Sequence, residues 1–417
     1  MYIPRIIEKI IRENLDTFKA IALVGPKFCG KTTLAEQYTK NSIALNPLNM
    51  NDYKTMLQLA PQDFLSGPYP KLIDEWQLIP EVWDIVRHYV DRVEGRGLFI
   101  LTGSSAANFD ETSHSGAGRI VRIMLRPMSL FEVGASTGDI SLNALFEGQV
   151  FKAHKSRLTV AEYALWIIKG GWPESIGDNE QQSIRRMKSY MDALCKEDIN
   201  KVTSKKYNEL RVKKIMQSLA RYTASETTNI NILEDMRSLD DATAESTLID
   251  YLDVLNKLYI IDDLKSWNPN LRSKTIIRST PARFFVDPSI GASMLNLTTK
   301  RLMNDFKTFG LFFESLVVRD LRIYAESIDG EVFRYKDKNG LEIDTVIQLS
   351  DGRWGAIQIK MGSHLFDDAA AKLIRFAHKV DQATMGKPSF LAIISATEYG
   401  YIREDGVYVI PIGCLRE

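Results

Sequence analysis

Short apolar runs alternate with amphipathic stretches over the first third of the chain. Residues 20–24, 72–74 and 98–102 are apolar and predict buried strands, whereas residues 32–40 have the pattern of a helix. Buried strands separated by helices are typical of a parallel sheet that is covered by helices. We therefore predict an α/β domain with a parallel sheet over residues 1–135.

The middle of the chain has mainly helical periodicity. Leucines recur at helical spacing between residues 248 and 258. Residues 259–267 and 283–286 predict two strands after this helix, joined through a turn that begins at residue 268. Helices followed by a hairpin are typical of a winged helix, and we predict a helical, winged-helix domain over residues 136–300.

The last part of the chain predicts a second α/β domain over residues 301–417. Its Asn339-Gly340 dipeptide, between two apolar runs, is a strong hairpin signal. The predicted order is α-β-β-β-α-β, with elements at residues 308–327, 332–338, 341–349, 353–360, 366–380 and 389–394.

Composition narrows the class of protein. The 417 residues include 53 Lys and Arg and 53 Asp and Glu, so any nucleic-acid site must be a local patch. The three cysteines have no paired spacing, and no apolar run has the length of a membrane span. The amino terminus lacks the apolar core of a signal peptide. These features predict a cytoplasmic protein without a membrane partner.

A phosphate-binding loop follows the first predicted strand. Gly25 to Thr32 match G-x-x-x-x-G-K-[ST], with a strand before the motif and a helix after it. The glycines allow backbone amides to turn towards phosphate oxygens, and the helix amino terminus adds partial positive charge. The candidate nucleotide-binding residues are Gly25, Pro26, Lys27, Phe28, Cys29, Gly30, Lys31, Thr32 and Thr33.

Four side chains complete the predicted catalytic site. Lys31 should reach the β- and γ-phosphates, and Thr32 should ligate Mg²⁺. Asp74, at the end of the next apolar strand, should hold Mg²⁺ through water, and Glu75 should polarise the attacking water. A second carboxylate favours ATP hydrolysis over a small-molecule kinase, which would also leave the two later domains without a role.

Two further polar groups are candidates for sensing the γ-phosphate. Thr102 or Ser104 follows the strand at 98–102, although a serine-rich turn explains these residues equally well. Arg119 is the preferred arginine finger in a strand with three arginines, acting in its own subunit or in a neighbour. A finger between subunits would require a homo-oligomer. The alternative is that these arginines lie on the outer face of an edge strand.

These motifs together resemble a known family. The phosphate loop, Asp74-Glu75-Trp76-Gln77, Leu101 to Ser105 and Gly118-Arg119 occur in the order seen in bacterial and archaeal AAA-type ATPases that carry a C-terminal domain of unknown function. Gly170-Gly171-Trp172-Pro173-Glu174 and the Glu-Asp-Ile sequence that ends at Ile199 are also similar to that family. The resemblance implies ATP binding and hydrolysis, followed by a winged helix and a restriction-endonuclease-like fold.

The α-β-β-β-α-β order is also that of the PD-(D/E)XK nuclease core, in which carboxylates hold Mg²⁺ beside a lysine. The matching residues here are Glu314, Asp344, Gln358 and Lys360. Gln358 stands where the pattern has a glutamate, and an amide oxygen is a weaker Mg²⁺ ligand than a carboxylate. This departure leaves nuclease activity open, and a buried ion-pair network without catalysis is the alternative.

Charge is distributed unevenly over the middle of the chain. Ten basic residues against four acidic ones lie between residues 185 and 214, and this patch suits either phosphate contact or an ordinary solvated surface. Residues 226–263 hold ten acids against two basic residues, so the predicted reading helix is a poor DNA ligand. The wing, with Lys265, Arg272, Lys274 and Arg278, is the better candidate.

We therefore carry two functional hypotheses forward. The first is a Mg²⁺-dependent ATPase whose ATP cycle controls a DNA-binding C-terminal domain, with the nuclease activity of that domain left open. The second is an ATPase switch whose nuclease-like domain is inactive and binds a protein partner or DNA.

Overall fold

A computed structural model describes residues 2–104, 117–236, 244–269 and 280–417. The chain forms two compact units. The first contains residues 1–127, 194–207 and 250–260, and the second contains residues 128–193, 208–249 and 261–417. Among the helices of the described residues, none is both long and apolar enough to span a bilayer.

A five-stranded parallel sheet is the centre of the first unit, which confirms the predicted parallel sheet. Across the sheet the strands lie in the order Asn41–Ala44, Lys71–Asp74, Phe99–Gly103, Ala20–Val24 and Ile120–Met124. The helices around it are Glu8–Thr17, Lys31–Glu36, Met50–Leu59, Pro61–Leu65 and Glu81–Arg92. Every residue of the first strand along the chain is buried, because it lies inside the sheet. The loop that follows it therefore lies at an interior position of the sheet's carboxyl edge.

Two segments far along the chain belong to this first unit. The segment 194–207 contains the short 3₁₀ helix Asp198–Asn200 and buries Leu194 and Ile199, and Tyr259 of the segment 250–260 packs against the main core. Apolar packing thus places these two segments in the same unit as the sheet. The predicted domains, by contrast, were three consecutive stretches of the chain. The boundaries at residues 135 and 300 stay predictions.

The second unit is mainly helical before the last sheet. Its helices are Leu142–Phe146, Val160–Lys169, Glu180–Lys196, Glu209–Arg221, Asn229–Met236, Glu245–Lys257, Pro288–Met294 and Thr299–Asn304. The last residues of Glu180–Lys196 and of Glu245–Lys257 belong to the first unit. Short 3₁₀ turns lie at Pro173–Ser175, Ser363–Leu365 and Ile412–Cys414. Glu245–Lys257 confirms the leucine-rich helix.

The strand pair expected after that helix is less regular than predicted. Ile261 bridges Phe285 and Leu264 bridges Ala282, both antiparallel, but the strand Ala282–Arg283 also pairs with Ser225–Glu226. The wing residues Arg272, Lys274 and Arg278 lie outside the described residues.

The C-terminal elements have the predicted α-β-β-β-α-β order. The helix Phe306–Glu326 precedes three antiparallel strands, the helix Phe366–Lys379 follows them, and the next strand pairs parallel with the third. In spatial order the seven strands are Gly330–Lys336, Glu342–Leu349, Trp354–Lys360, Phe390–Ser395, Tyr408–Pro411, Tyr399–Ile402 and His154–Lys155. The remaining elements are the helix Gln382–Met385 and the parallel pair Leu415–Arg416 with Ile140–Ser141. Gly340, with a φ of 78°, makes the turn that the dipeptide predicted.

Candidate functional site

The phosphate loop adopts a conformation that needs its two glycines. Gly25 and Gly30 have φ values of 146° and 97°, which other residues rarely adopt. A Cβ on Gly25 would lie 2.3 Å from the carbonyl oxygen of Leu125, so a side chain does not fit there. Gly30 precedes the helix that begins at Lys31, and the loop is thus joined to a helix amino terminus.

Lys31 lies inside this loop. Its side chain is buried, and its Nζ donates to the carbonyl oxygens of Gly25 at 3.0 Å and of Pro26 at 2.7 Å. Cys29 is buried beside it, whereas the side chain of Thr33 is exposed on the first helical turn. The ammonium group is therefore held where the loop encloses it.

Asp74 is bound by two hydroxyl groups from neighbouring elements. Thr32 Oγ1 lies 3.0 Å from Oδ1 and 3.1 Å from Oδ2 of Asp74, and the Thr102 hydroxyl donates to Oδ1. Hydroxyl groups orient a carboxylate without bringing a positive charge to it. Oxygen ligands of this kind are those that Mg²⁺ prefers, and Mg²⁺ commonly takes only one or two from the protein. The pair Thr32 and Asp74 therefore fits Mg²⁺.

Glu75 follows Asp74 in a left-handed conformation with a φ of 55°. The Gln77 amide Nε2 donates to Glu75 Oε2. Gln77 Oε1 is buried, and a Cβ on Gly103 would lie 2.5 Å from it, so close packing fixes the amide. Gln77 belongs to the Asp74-Glu75-Trp76-Gln77 motif of the family resemblance, but nothing in the sequence predicted its hydrogen bond to Glu75.

The predicted sensing residues lie in different places. The hydroxyl of Thr102 contacts Asp74, and Ser104 is buried at the same edge of the sheet. Arg119 precedes the strand Ile120–Met124, in which Ile120 pairs with Ala20, so it lies at the opposite edge from the phosphate loop. Its Nε donates to Asp91 at 2.8 Å and lowers the pKa of that carboxyl group. This position gives no support to a finger within the same chain, and a finger between subunits stays a prediction.

Three of the residues predicted for a nuclease site lie together in the second unit. Lys360 Nζ and the Ile359 backbone N–H both donate to Asp344 Oδ2, at 2.7 Å each. Gln358 is buried, and its Nε2 donates to the backbone oxygen of Glu342 at 2.8 Å. Its amide is thus used in holding two strands together.

Glu314 lies on the helix Phe306–Glu326 and interacts electrostatically with this cluster. Burial, and then the negative charge of Asp344, raise the pKa of Glu314 to about 8, while Lys360 and Arg334 oppose the rise. Glu314 is therefore largely protonated at neutral pH. Within the described part of the chain, no group of three or more His, Cys, Asp and Glu side chains is arranged to hold a metal ion.

The Gly-Gly-Trp-Pro-Glu segment lies in a buried polar network. The Gly171 N–H donates to Asp287 Oδ2 at 2.9 Å, and a Cβ on Gly171 would lie 2.0 Å from the Met128 carbonyl oxygen. Arg319 joins Asp287 to Asp320, at 2.9 Å and 2.7 Å. The segment thus packs within the second unit, and Arg319 and Asp320 of its network lie on the helix Phe306–Glu326 that also carries Glu314.

Comparisons with family models divide the chain into three stretches. Residues 17–134 match the AAA domain, residues 160–301 match a domain of unknown function, DUF8612, and residues 309–415 match another, DUF4143. Two uncharacterized mycobacterial proteins, Rv2008c of Mycobacterium tuberculosis and Mb2031c of Mycobacterium bovis, are similar to this chain. Each is 23% identical over 356 residues, which cover 85% of this chain and 73% of that protein.

Solved structures show weaker likeness. The Walker-type ATPase PABY2304 of Pyrococcus abyssi is 12% identical with a TM-score of 0.42, covering 70% of this chain and 94% of that one. AMPPCP-bound DnaA from Aquifex aeolicus is 16% identical with a TM-score of 0.28, covering 61% of this chain and 89% of that one. At TM-scores below 0.5 these likenesses carry no weight for function. The stretch that is similar to AAA domains, residues 17–134, contains both the phosphate loop and the adjoining acidic pair.

Proposed function

We propose that this protein is a Mg²⁺-dependent ATPase whose nucleotide cycle controls a nucleic-acid-binding domain in residues 301–417. The observation that carries the first half is the position of Lys31, Thr32 and Asp74 at one edge of a parallel sheet, with Glu75 directly after Asp74. These four side chains are the parts that phosphoryl transfer to water requires.

The phosphate loop supports binding of the triphosphate. An ammonium group has three donors, and Lys31 uses loop carbonyls that a bound phosphate oxygen can replace. Backbone amides of the loop and the helix amino terminus at Lys31 add further donors. Because Gly25 has no side chain, the backbone of the loop can lie against the Leu125 carbonyl oxygen.

The residues around Asp74 support metal-assisted hydrolysis. When bound, Mg²⁺ neutralises charge that develops on the phosphate oxygens. Thr32 and Asp74 would hold it, with Thr102 orienting the carboxylate. Glu75 would accept a proton from the attacking water, and Gln77 holds its carboxylate in place.

The nucleic-acid half of the proposal rests on the C-terminal elements. Their α-β-β-β-α-β order is the one on which the nuclease-like prediction was based, and a protonated Glu314 leaves the cluster less repulsive to a phosphodiester. The antiparallel bridges after the helix Glu245–Lys257 are consistent with a winged helix. DNA is the proposed ligand of this half, and cleavage would require Asp344 and Lys360.

A second candidate function, an ATPase switch with an inactive nuclease-like domain that binds a protein, is favoured by the closed pairing at that site. Asp344 is already neutralised by Lys360, and Gln358 supplies no carboxylate. The basic patch between residues 185 and 214 is also partly neutralised within the protein, because Arg186 pairs with Glu174 and with Asp178.

One experiment separates these functions. We would measure ATP hydrolysis with and without single- and double-stranded DNA, and assay DNA cleavage with Mn²⁺ in the same samples. Glu75→Gln should lower hydrolysis by about 10²- to 10⁴-fold, because a general base is lost. Glu81→Gln, an exposed acid in the same unit, is the matched control.

The outcomes are distinct. Hydrolysis that DNA stimulates and Glu75→Gln abolishes supports the first function, and cleavage lost in Asp344→Ala extends it to a nuclease. Hydrolysis that is indifferent to every DNA form, with DNA left intact, supports the protein-directed switch. Hydrolysis unchanged in Glu75→Gln contradicts both.

A further inference from the structure

Two residues outside the stretch that matches the AAA domain hold the phosphate loop. Arg5 is buried and donates to the carbonyl oxygens of Cys29 at 3.0 Å and of Arg126 at 2.8 Å. On the other side, Lys27 Nζ donates to Asp198 Oδ1 at 2.6 Å. All five residues belong to the first unit.

Asp198 is fixed independently of the loop. It begins a 3₁₀ helix in a segment whose side chains Leu194, Cys195 and Ile199 are buried. The Asp198 side chain is only 9% exposed, and Lys201 Nζ lies 3.6 Å from the same carboxylate oxygen. A carboxylate anchored in this way can orient the loop, rather than the loop orienting it.

The part of the loop beside Lys27 needs such a restraint. Phe28 has a φ of 63°, a conformation that non-glycine residues keep only when surrounding contacts impose it. Its side chain is 63% exposed. The Lys27–Asp198 hydrogen bond acts on the residue immediately before this turn, with one partner largely buried, and differs in that respect from a surface ion pair.

We propose that Asp198 is a positioning residue of the nucleotide site, which acts through Lys27 to keep loop residues 26–28 in the conformation that binds phosphate. This inference rests on the proposed ATP-binding function of the same loop. Asp198 touches neither Asp74 nor Glu75, so its contribution should appear in nucleotide affinity and not in the chemical step.

A double-mutant cycle with the full chain tests this role. The dissociation constant of a fluorescent ATP analogue with Mg²⁺ would be measured for wild type, Asp198→Asn, Lys27→Met and the double variant, together with kcat and the melting temperature. Asp198→Asn should weaken binding about tenfold, the effect of losing one charged hydrogen bond, with kcat nearly unchanged. In the Lys27→Met background the same change should have no further effect.

Asp250→Asn is the matched control. Asp250 pairs with Lys205 at 2.7 Å in the same unit, but both side chains are exposed and neither contacts the loop. Its loss should leave affinity unchanged. Asp198→Asn that binds the analogue as wild type does, or that weakens binding equally in both backgrounds, overturns the inference alone. Wild type that binds no nucleotide overturns the proposed function and this inference with it.

Discussion

The nucleotide site and the C-terminal carboxylate cluster are built from the same residue types but differ in how their charges are balanced. At the first site, Asp74 is held by the hydroxyls of Thr32 and Thr102, while Lys31 is turned towards loop carbonyls. At the second, Lys360 donates directly to Asp344. A carboxylate bound by neutral donors keeps its charge for a cation, whereas one bound by lysine is already compensated.

The difference shows why a motif is more informative in one case than in the other. A phosphate loop can be recognised in one short stretch of sequence, because its glycines, its strand and its helix amino terminus lie within a dozen residues. The C-terminal cluster depends on a helix and two strands that only tertiary packing brings together. A single substitution such as glutamine at position 358 can then change its chemistry while the fold stays the same.

The largest expected effect concerns the buried network that Arg319 forms with Asp287 and Asp320. Arg319 is 2% exposed and pairs with Asp287 and Asp320, so Arg319→Met leaves two buried carboxylates without their cation. We expect a loss of about 3–5 kcal/mol in the free energy of unfolding, measured with urea. Arg353→Met is the control, because that arginine is exposed, and its loss should cost far less than the loss of Arg319. Similar losses in the two variants would show that the network is not a main source of stability.

A glutamate at position 358 would make the two sites more alike. Gln358→Glu removes the donor to the Glu342 carbonyl and adds a buried acid on the strand next to Asp344, at a cost of about 1–3 kcal/mol. If the cluster is a nuclease-type site, Mn²⁺ should restore the melting temperature of this variant and leave wild type unchanged. Gln348→Glu, on the same sheet, should not respond to Mn²⁺. A variant that Mn²⁺ fails to stabilise would count against any latent metal site.

The pH dependence of stability should distinguish the cluster from the nucleotide site. The raised pKa of Glu314 means that the folded protein holds a proton that the unfolded chain releases near pH 4.5. Its stabilising contribution is therefore complete below pH 4.5 and is lost as the pH rises through about 8. Glu314→Gln should flatten this part of the stability profile, as followed by urea unfolding from pH 5 to 8. A profile identical to wild type would contradict the raised pKa.

The smallest effect is expected at the nucleotide site, where Gln77 holds Glu75. Gln77→Ala should lower kcat about three- to tenfold by releasing one hydrogen bond to the general base, with KM unchanged. Gln62→Ala, an exposed glutamine of the same unit, should leave both constants as they are. A rise in KM without a fall in kcat would instead place Gln77 in nucleotide binding.

Local patterns predicted much of the fold. The parallel sheet of the first unit, the helix Glu245–Lys257 and the order of the C-terminal elements all follow from periodicity and turn residues over short windows. The hairpin at Asn339-Gly340 needed only two residues. The strand pair after residue 259 was less regular than predicted, because the second strand also pairs with Ser225–Glu226, far away in the sequence.

The sequence alone determined the phosphate loop, the acidic pair and the departure at Gln358, because each is a matter of residue type at fixed spacing. Only the tertiary structure decided that Arg119 lies at the edge of the sheet opposite the loop, that Lys360 neutralises Asp344, and that Asp198 contacts Lys27. These facts join residues from 16 to 171 positions apart, or depend on strand register. Such contacts are set by the packing of whole elements, and no local pattern encodes them.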